Sequence, residues 1–408
     1  MSTREFRDKF AIVGVGMTPT ARTHARGMSA MRLEAWAAKL AIEDAGLARE
    51  DIDGVVHAMM ASPHPPLQWT DTYSRMLGLR PNFYLTVARG GQAAHNGLLL
   101  ATHYLRLGLA KYVIVSCGLP GWSASHAPEG PVGMLGTGGW RGQLGFGIGP
   151  LGFNAAAGGG SSHGFYVSRH MHEYGTTAED LAEVALSARE WANLNPEARF
   201  HDRKLTREDY LASDYVIEPL RKMDCCIESD LGAAIVVTTA DRARSGPKPP
   251  VYLKGLGFGD QARKQWWDKS NYTQVDGAFA AKQAFAEAGE NIWSIDVAEL
   301  YDCFTMEIIF YLEDYGYCKK GEAGEFLRSG ATRPGGSFPI NTHGGLLSGM
   351  YLFDFPNVVE ATRQLRGEAG DRQVPNAHLA LTNGHGGEMV EPFMCSSHAT
   401  MILGNELS

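Results

Sequence analysis

The sequence predicts an α/β protein with a layered architecture, and two observations support this prediction. Short runs rich in β-branched residues, such as FAIVGVG and KYVIVSCG, alternate with longer stretches that have the spacing of amphipathic helices. Strands separated by helices are typical of a mainly parallel sheet with helices on its faces. A similar order of strands and helices returns in the last part of the chain, so we expect two similar α/β halves related by duplication.

The first half begins with the strand FAIVGVG and an Ala-rich helix at residues 30–45. The strands IDGVVHAMM and FYLTVA follow, and a helix beginning near GGQAAHNG then leads into KYVIVSCG. The apolar run LGAAIVVTTA, residues 231–240, predicts a buried strand that closes this half.

A Gly-rich insertion interrupts the first half. Residues 119–160 are dense in Gly, Trp, Pro and Ser and have no regular apolar period, whereas residues 162–195 have a helical pattern. An irregular segment of this length is usually a lid or a binding surface. We therefore predict that residues 119–218 form an inserted substrate-binding region.

The second half repeats the alternation. The strand VYLKGLGFG precedes a helix at residues 274–288, the strand IDVAELYD, a further helix and a Gly-rich loop. A helix near residues 357–365 and the strands HLALTNGHGG and HATMILG complete the chain. The predicted boundaries are thus residues 1–118 with 219–245 for the first half and residues 246–408 for the second.

Composition excludes several classes of function. The net charge of −8, without a run of Lys or Arg, argues against nucleic-acid binding. No segment reaches the roughly 20 apolar residues of a membrane span, and the N-terminal apolar run is too short for a signal peptide, so we expect a cytoplasmic protein. The six cysteines form no CxxC pair and the histidines are scattered, so neither a disulfide framework nor a metal site is expected.

Five motifs occur in the order of a known family. AIVGVGMT, GGQAAHNGLLLA, ELYDCFT, NTHGGLLSG and LTNGHGG together resemble the thiolase superfamily, and most of all its lipid-transfer branch, which is related to the thiolase part of sterol carrier protein X. The resemblance implies a thiolase-like fold of α-β-α-β-α layers, with a loop domain inserted in the first half. It also implies a homodimer.

The position of the family's nucleophile is altered. Thiolases place a Cys at the start of a buried helix, where backbone N–H groups and the helix dipole favour a thiolate. The resemblance places this position at Gly91, within ARGGQAAH. Acyl transfer through a thioester requires an activated nucleophile, so thiolase activity is not expected.

The other three catalytic loops also depart from the family pattern. Tyr301 in YDCF stands where the family has Asn or His, and Tyr351, ten residues after Asn341, stands where it has the activating His. Asn383 or His385, in NGHGG, stands where the family has a second Cys.

These substitutions fit a retro-aldol cleavage of a β-hydroxyacyl-CoA. Such a reaction needs two proton transfers and a site for a thioester enolate, but no covalent intermediate and no covalent cofactor, with coenzyme A supplied as part of the substrate. Tyr301 and Tyr351 are the predicted proton-transfer groups, with the assignment of base and acid left open, and Asp302 orients its neighbours. The predicted oxyanion and substrate-binding residues are Gly91, Asn341, Asn383, His385 and Gly386.

The resemblance narrows the expected substrate and partner. Aldolases of the lipid-transfer branch that shorten steroid side chains are similar in having tyrosines at these two places. They cleave a 17-hydroxy side-chain CoA thioester into a 17-ketosteroid and propionyl-CoA, and they act with an OB-fold partner that carries a zinc ribbon. The same substrate, the same kind of partner and a homodimer within a heterotetramer are therefore expected here. The resemblance also implies that residues 122–153 of the insertion line the route of this large apolar substrate.

Two other functions remain open at this point. The chain could be a non-catalytic subunit that binds acyl-CoA or lipid and scaffolds a partner enzyme, because the missing nucleophile fits that function as well. It could also be an acyltransferase with an unusual nucleophile. A pure scaffold, however, has no need of two phenols in one pocket.

Overall fold

The computed structural model describes residues 6–23, 27–59, 66–88, 90–126, 159–260, 273–386 and 397–408. Most of the predicted substrate route, residues 122–153, lies outside the described residues. In the part of the chain that is described, no helix is both long and apolar enough to cross a lipid bilayer.

The first part of the chain alternates strands and helices as predicted. Its elements are β1 (Phe10–Met17), α1 (Ala30–Asp44), β2 (Gly54–Met59), α2 (Pro66–Leu77), β3 (Phe83–Ala88), α3 (Ala93–Arg106), β4 (Tyr112–Pro120) and α4 (Gly121–Ser125). Ser29 starts α1, because its side chain accepts a hydrogen bond from the backbone N–H of Arg32.

The middle of the chain contains the end of the insertion and the strand that closes the first half. Its elements are α5 (Gly159–Tyr174), α6 (Ala178–Leu194), α7 (Arg207–Leu211), β5 (Tyr215–Ile217), β6 (Leu220–Arg221), β7 (Asp230–Thr239) and α8 (Ala240–Ala243). The helical pattern at residues 162–195 divides into α5 and α6, because Gly175 has a φ of 76°, which no helix interior adopts.

The last part of the chain repeats the pattern. Its elements are β8 (Val251–Asp260), α9 (Gly277–Ala288), β9 (Val297–Glu299), α10 (Thr305–Asp314), α11 (Ala323–Arg328), α12 (Phe355–Arg366), β10 (Leu379–Gly386) and β11 (Ser397–Gly404).

One nine-stranded sheet carries the same topology twice. The strand order is β3-β2-β4-β7-β1-β8-β11-β10-β9. Read outwards from the centre, β1-β7-β4-β2 in one half corresponds to β8-β11-β10-β9 in the other. The halves meet through a short antiparallel ladder in which Ala11 and Ile12 pair with Tyr252 and Val251. This repeated order supports the predicted duplication.

The expectation of a mainly parallel sheet is wrong. Among the described strands, three neighbouring pairs are parallel and five are antiparallel. The reason is that β7 lies between β4 and β1, antiparallel to both, and β11 lies in the same way between β10 and β8. Apolar periodicity identifies a buried strand but carries no information about its direction.

The helices form three layers around the two halves of the sheet, which confirms the predicted thiolase-like arrangement. Helix α1 contacts β1, β4 and β7, and α9 contacts β8 and β11. Helices α3 and α12 contact strands of both halves and therefore form the middle layer. One apolar cluster joins Leu98 of α3 and Val358 of α12 to Val115 and Leu403 of the two halves.

A Gly-x-Gly pattern in the first strand of each half allows an outer helix to pack closely against that strand. In β1, a Cβ added at Gly16 would overlap the carbonyl of Ala37 in α1. In β8, a Cβ added at Gly257 would overlap the carbonyl of Ala280 in α9. The missing side chains therefore let helix backbone lie directly on strand backbone in both halves, which also explains why α1 and α9 are rich in Ala.

This packing yields a stability prediction. Gly16→Ala and Gly257→Ala should each lower the free energy of unfolding by about 1–3 kcal/mol, the usual cost of overpacking a core, as measured by chemical denaturation. Gly246→Ala is the matched control, because its added Cβ would meet the nearest atom at 3.4 Å, an ordinary contact. An equal loss in all three variants would contradict the argument from close approach.

Candidate active site

Two tyrosines from different loops meet in one place. Tyr301 follows β9, and Tyr351 follows the Gly-rich loop that precedes α12. Their hydroxyl oxygens are 3.3 Å apart, and either can be the donor. Tyr301 is only 4% exposed, whereas Tyr351 is half-buried beside the ring of Phe353. The structure thus brings together the two residues to which the sequence assigns proton transfer.

Two buried asparagines hold the loop that carries Tyr301. The Oδ1 of Asn383 accepts a hydrogen bond of 2.7 Å from the backbone N–H of Tyr301, and its Nδ2 donates to the Tyr315 hydroxyl at 3.0 Å. The Oδ1 of Asn341 accepts from the backbone N–H of Leu300 at 2.6 Å. These bonds give both asparagines a positioning role, and a contact between either one and the substrate stays a prediction.

The Tyr301 phenol occupies the space beside Gly91. Gly91 lies two residues before α3 and forms an isolated β-bridge with His385. A Cβ added at Gly91 would overlap both the phenol of Tyr301 and the backbone carbonyl of His385. A cysteine at this position would therefore require the phenol to leave.

The N-terminus of α3 binds a carboxylate that the sequence analysis missed. The backbone N–H groups of Ala94 and His95 donate to the two carboxylate oxygens of Asp354, at 2.9 and 3.1 Å. The His95 ring bridges Asp354 and Thr382, at 2.6 and 2.9 Å. The positive end of the helix dipole thus stabilises a fixed carboxylate here. In the sequence, Asp354 precedes Pro356 and marks the start of α12. Its side chain, however, accepts hydrogen bonds from the N-terminus of α3.

The predicted oxyanion region lies beside the tyrosine pair. His385 and Gly386 are the last residues of β10, and the bridge to His385 places them next to Gly91. The His385 ring packs against the Tyr301 ring with centroids 5.4 Å apart. Its Nε2 lies 3.7 Å from the Cys303 Sγ.

Burial dominates the electrostatics of the site. Burial, and after it the Tyr351 phenol, raises the pKa of Tyr301 well above the ordinary tyrosine value, so the phenol is neutral at physiological pH. Burial also raises the pKa of Asp302 to about 7, although the Leu346 N–H donates to its Oδ1 at 2.8 Å. Burial would raise the pKa of Glu307 too, but the charge of His385 and the hydrogen bond from His163 outweigh it and lower that pKa to about 2.

Comparisons with known proteins place this site in a family. Residues 261–405 match the family model described as "Thiolase C-terminal domain-like". The steroid side-chain-cleaving aldolase of Thermomonospora curvata is 33% identical over 381 residues, which are 92% of this chain and 95% of the relative. The chain belongs to the thiolase superfamily. The motifs that placed it in the lipid-transfer branch are therefore correctly assigned.

Other relatives of similar identity carry different names. The 17-hydroxy-3-oxo-4-pregnene-20-carboxyl-CoA lyase of Mycobacterium tuberculosis is 31% identical over 92% of this chain and 96% of the relative. An acetyl-CoA acetyltransferase of Methanothermobacter thermautotrophicus is also 31% identical, over 85% of this chain and 88% of the relative. Among solved structures, the Ltp2-ChsH2(DUF35) aldolase superposes with a TM-score of 0.84 at 30% identity, covering 98% of both chains. Overall sequence identity does not distinguish a lyase from an acyltransferase. The residues of the site must therefore provide this distinction.

The close approach at Gly91 can be tested by a double-mutant cycle. Gly91→Ala should lower the free energy of unfolding by about 1–3 kcal/mol, because the new Cβ meets the Tyr301 phenol. The same substitution in a Tyr301→Ala background should cost less, since one of the two obstructing groups is gone. Chemical denaturation of the four proteins measures the coupling. Strictly additive losses would show that Tyr301 does not fill this space.

Proposed function

We propose that this chain is a carbon-carbon lyase that cleaves a β-hydroxyacyl-CoA by a retro-aldol reaction. The substrate is a 17-hydroxy steroid side-chain CoA thioester, and the products are a 17-ketosteroid and propionyl-CoA. The observation that carries the proposal is the Tyr301 phenol, which fills the nucleophile's place and lies 3.3 Å from the Tyr351 hydroxyl. The names of the aldolase and lyase relatives support the substrate class.

The reaction needs one base, one acid and a site for negative charge. The base removes the proton of the substrate's β-hydroxyl, and its oxygen forms the ketone as the bond between the α and β carbons breaks. The electrons of that bond form the enolate of the shorter thioester. The acid then protonates the α carbon and releases the short acyl-CoA.

We use burial to propose which tyrosine takes which role. Tyr301 is fully enclosed and neutral, so it serves as the acid that protonates the enolate. Tyr351 is more exposed, and as a phenolate it would receive a hydrogen bond from Tyr301 across the 3.3 Å separation. We therefore assign Tyr351, the more exposed of the two phenols, the role of the base.

The enolate oxygen binds beside the bridge between Gly91 and His385. Backbone N–H groups near these residues and at Gly386 are held by the start of α3 and the end of β10. Each preorganised donor contributes about 3 kcal/mol to stabilising an oxyanion in a dry site. No covalent acyl-enzyme forms, so mass spectrometry of the protein after incubation with acyl-CoA should detect no acyl adduct. An adduct on Cys303 would instead favour the acyltransferase.

The proposal extends to assembly and location. The chain forms a homodimer and acts within a heterotetramer with an OB-fold partner that carries a zinc ribbon, in line with the DUF35 component of the similar Ltp2-ChsH2(DUF35) aldolase. The location is the cytoplasm, where a reducing environment suits the five cysteines of the described residues, which form no disulfides.

Phenylalanine substitutions test the two phenols. Tyr301→Phe and Tyr351→Phe should each lower kcat for steroid side-chain cleavage roughly 10²–10⁴-fold, the usual contribution of a positioned acid or base. Tyr317→Phe is the control, because its buried hydroxyl donates to the Ile292 carbonyl and it should retain wild-type turnover. The assay uses the complex with the OB-fold partner and detects propionyl-CoA by mass spectrometry. Wild-type rates in both site variants would contradict the proposal, and no cleavage by the wild-type complex would favour the scaffold.

An isotope-exchange experiment tests which tyrosine is the acid and which is the base. In D₂O the wild-type complex should exchange the α hydrogens of propionyl-CoA, because the acid of the forward reaction removes that proton in reverse. Tyr301→Phe should abolish both exchange and cleavage. Tyr351→Phe should abolish cleavage and retain a slower exchange, because Tyr351 no longer accepts the proton that Tyr301 gives up to become a phenolate. Exchange that depends on Tyr351 and not on Tyr301 would reverse the assignment.

A further inference from the structure

Four side chains that can bind a metal ion meet behind Tyr301. They are His163 of α5, Cys303, Glu307 in the first turn of α10 and His385 near the end of β10. One ligand atom from each lies within 4.8 Å of the other three. All four side chains are at least nine-tenths buried, with exposures of 1%, 7%, 0% and 2%.

Two of the separations are near the length of a zinc tetrahedron's edge. Nε2 of His163 lies 2.9 Å from Oε1 of Glu307, and the Cys303 Sγ lies 3.7 Å from Nε2 of His385. Ordinary zinc bond lengths give edges of about 3.3 Å between N or O ligands and about 3.6 Å between N and S. The widest separation, up to 4.8 Å, would have to close by about 1.5 Å to reach such an edge. Binding of the ion would therefore draw the four ligand atoms together by that distance.

The chemical types of the four ligand atoms indicate which metal ion the site would bind. Two imidazole nitrogens, a thiolate and a carboxylate suit zinc, whereas calcium and magnesium require oxygen ligands throughout. We propose that His163, Cys303, Glu307 and His385 bind one Zn²⁺ ion per chain. Because the protein supplies four ligands, the site is closed and structural.

A zinc ion here would fix the wall against which Tyr301 packs. It would connect α5, the loop after β9, α10 and the end of β10, which are separate in sequence. Cys303 is two residues from Tyr301, and the His385 ring lies 5.4 Å from the Tyr301 ring. No metal site is expected from the sequence because its histidines are scattered along the chain. The fold brings two of them together with Cys303 and Glu307, so this argument no longer applies.

Metal content is the direct test. The full chain, purified with its OB-fold partner, is analysed by plasma mass spectrometry beside the Cys303→Ser complex. The wild-type complex should carry one more zinc ion per chain than the variant complex. Any zinc held by the partner is common to both preparations and cancels in this difference.

Cobalt substitution tests the ligands. Co²⁺ in the wild-type chain should show a thiolate charge-transfer band, which Cys303→Ser should lose and Cys318→Ser should keep. Cys318 is the matched control, as a half-buried free thiol outside the cluster. Glu307→Gln should weaken Zn²⁺ binding at least roughly 100-fold, the upper end of the loss from removing even an outer-shell partner.

Three outcomes would overturn the inference. These are a wild-type complex whose zinc does not exceed the amount held by the partner, zinc content unchanged by Cys303→Ser, and loading of the site with a different metal alone. Circular dichroism checks that each variant folds, and if Cys303→Ser does not fold, Glu307→Gln provides the same comparison. None of these measurements uses the cleavage reaction, so failure of the zinc site and failure of the lyase proposal are distinguishable.

Discussion

The proposed chemistry of this chain depends on the contact between Tyr301 and Gly91. The phenol fills the volume that a side chain at Gly91 would need, and the His385 carbonyl closes the other side. Protein interiors are packed about as densely as organic crystals, so a cysteine and this phenol cannot share the space. Under the proposed function, the absence of a Cys at Gly91 and the presence of a buried proton donor at Tyr301 are therefore a single structural change.

A second constraint follows from the start of α3. In a thiolase, the N-terminus of this helix favours a thiolate, but here its N–H groups bind Asp354. Asp354 lies immediately before α12, so the same carboxylate joins the two helices of the middle layer, one from each half of the chain. Asp354 is fully buried, and removing it would leave N–H donors without an acceptor in the interior. The capping interaction thus holds Gly91 in position, and it also holds the two halves of the chain against each other.

The sequence predicts the residues on the catalytic loops better than it predicts the buried residues that hold those loops in place. Tyr301, Tyr351 and Gly91 could be found because motifs in a fixed order assign them to known loops. Strand direction could not be found, because apolar periodicity is the same in parallel and antiparallel strands. Asp354, Glu307 and His163 were missed for a different reason, since their partners lie on other elements and no local spacing marks a side chain that pairs across the fold. Only the three-dimensional arrangement shows that Asp354 binds a distant helix and that Glu307 contacts two histidines.

The exchange of a Cys and His pair for two phenols also changes the cost of binding a large apolar substrate. A thiolate beside an imidazolium is charged before the substrate arrives, and a steroid that displaces water would desolvate both charges. Tyr301 is neutral in the free protein, so closing the pocket over it leaves no such charge unsolvated. In the proposed reaction, the negative charge of the enolate then forms next to Tyr301 and the backbone at His385. The buried phenol is thus suited to a reaction in which the substrate excludes water before any bond breaks.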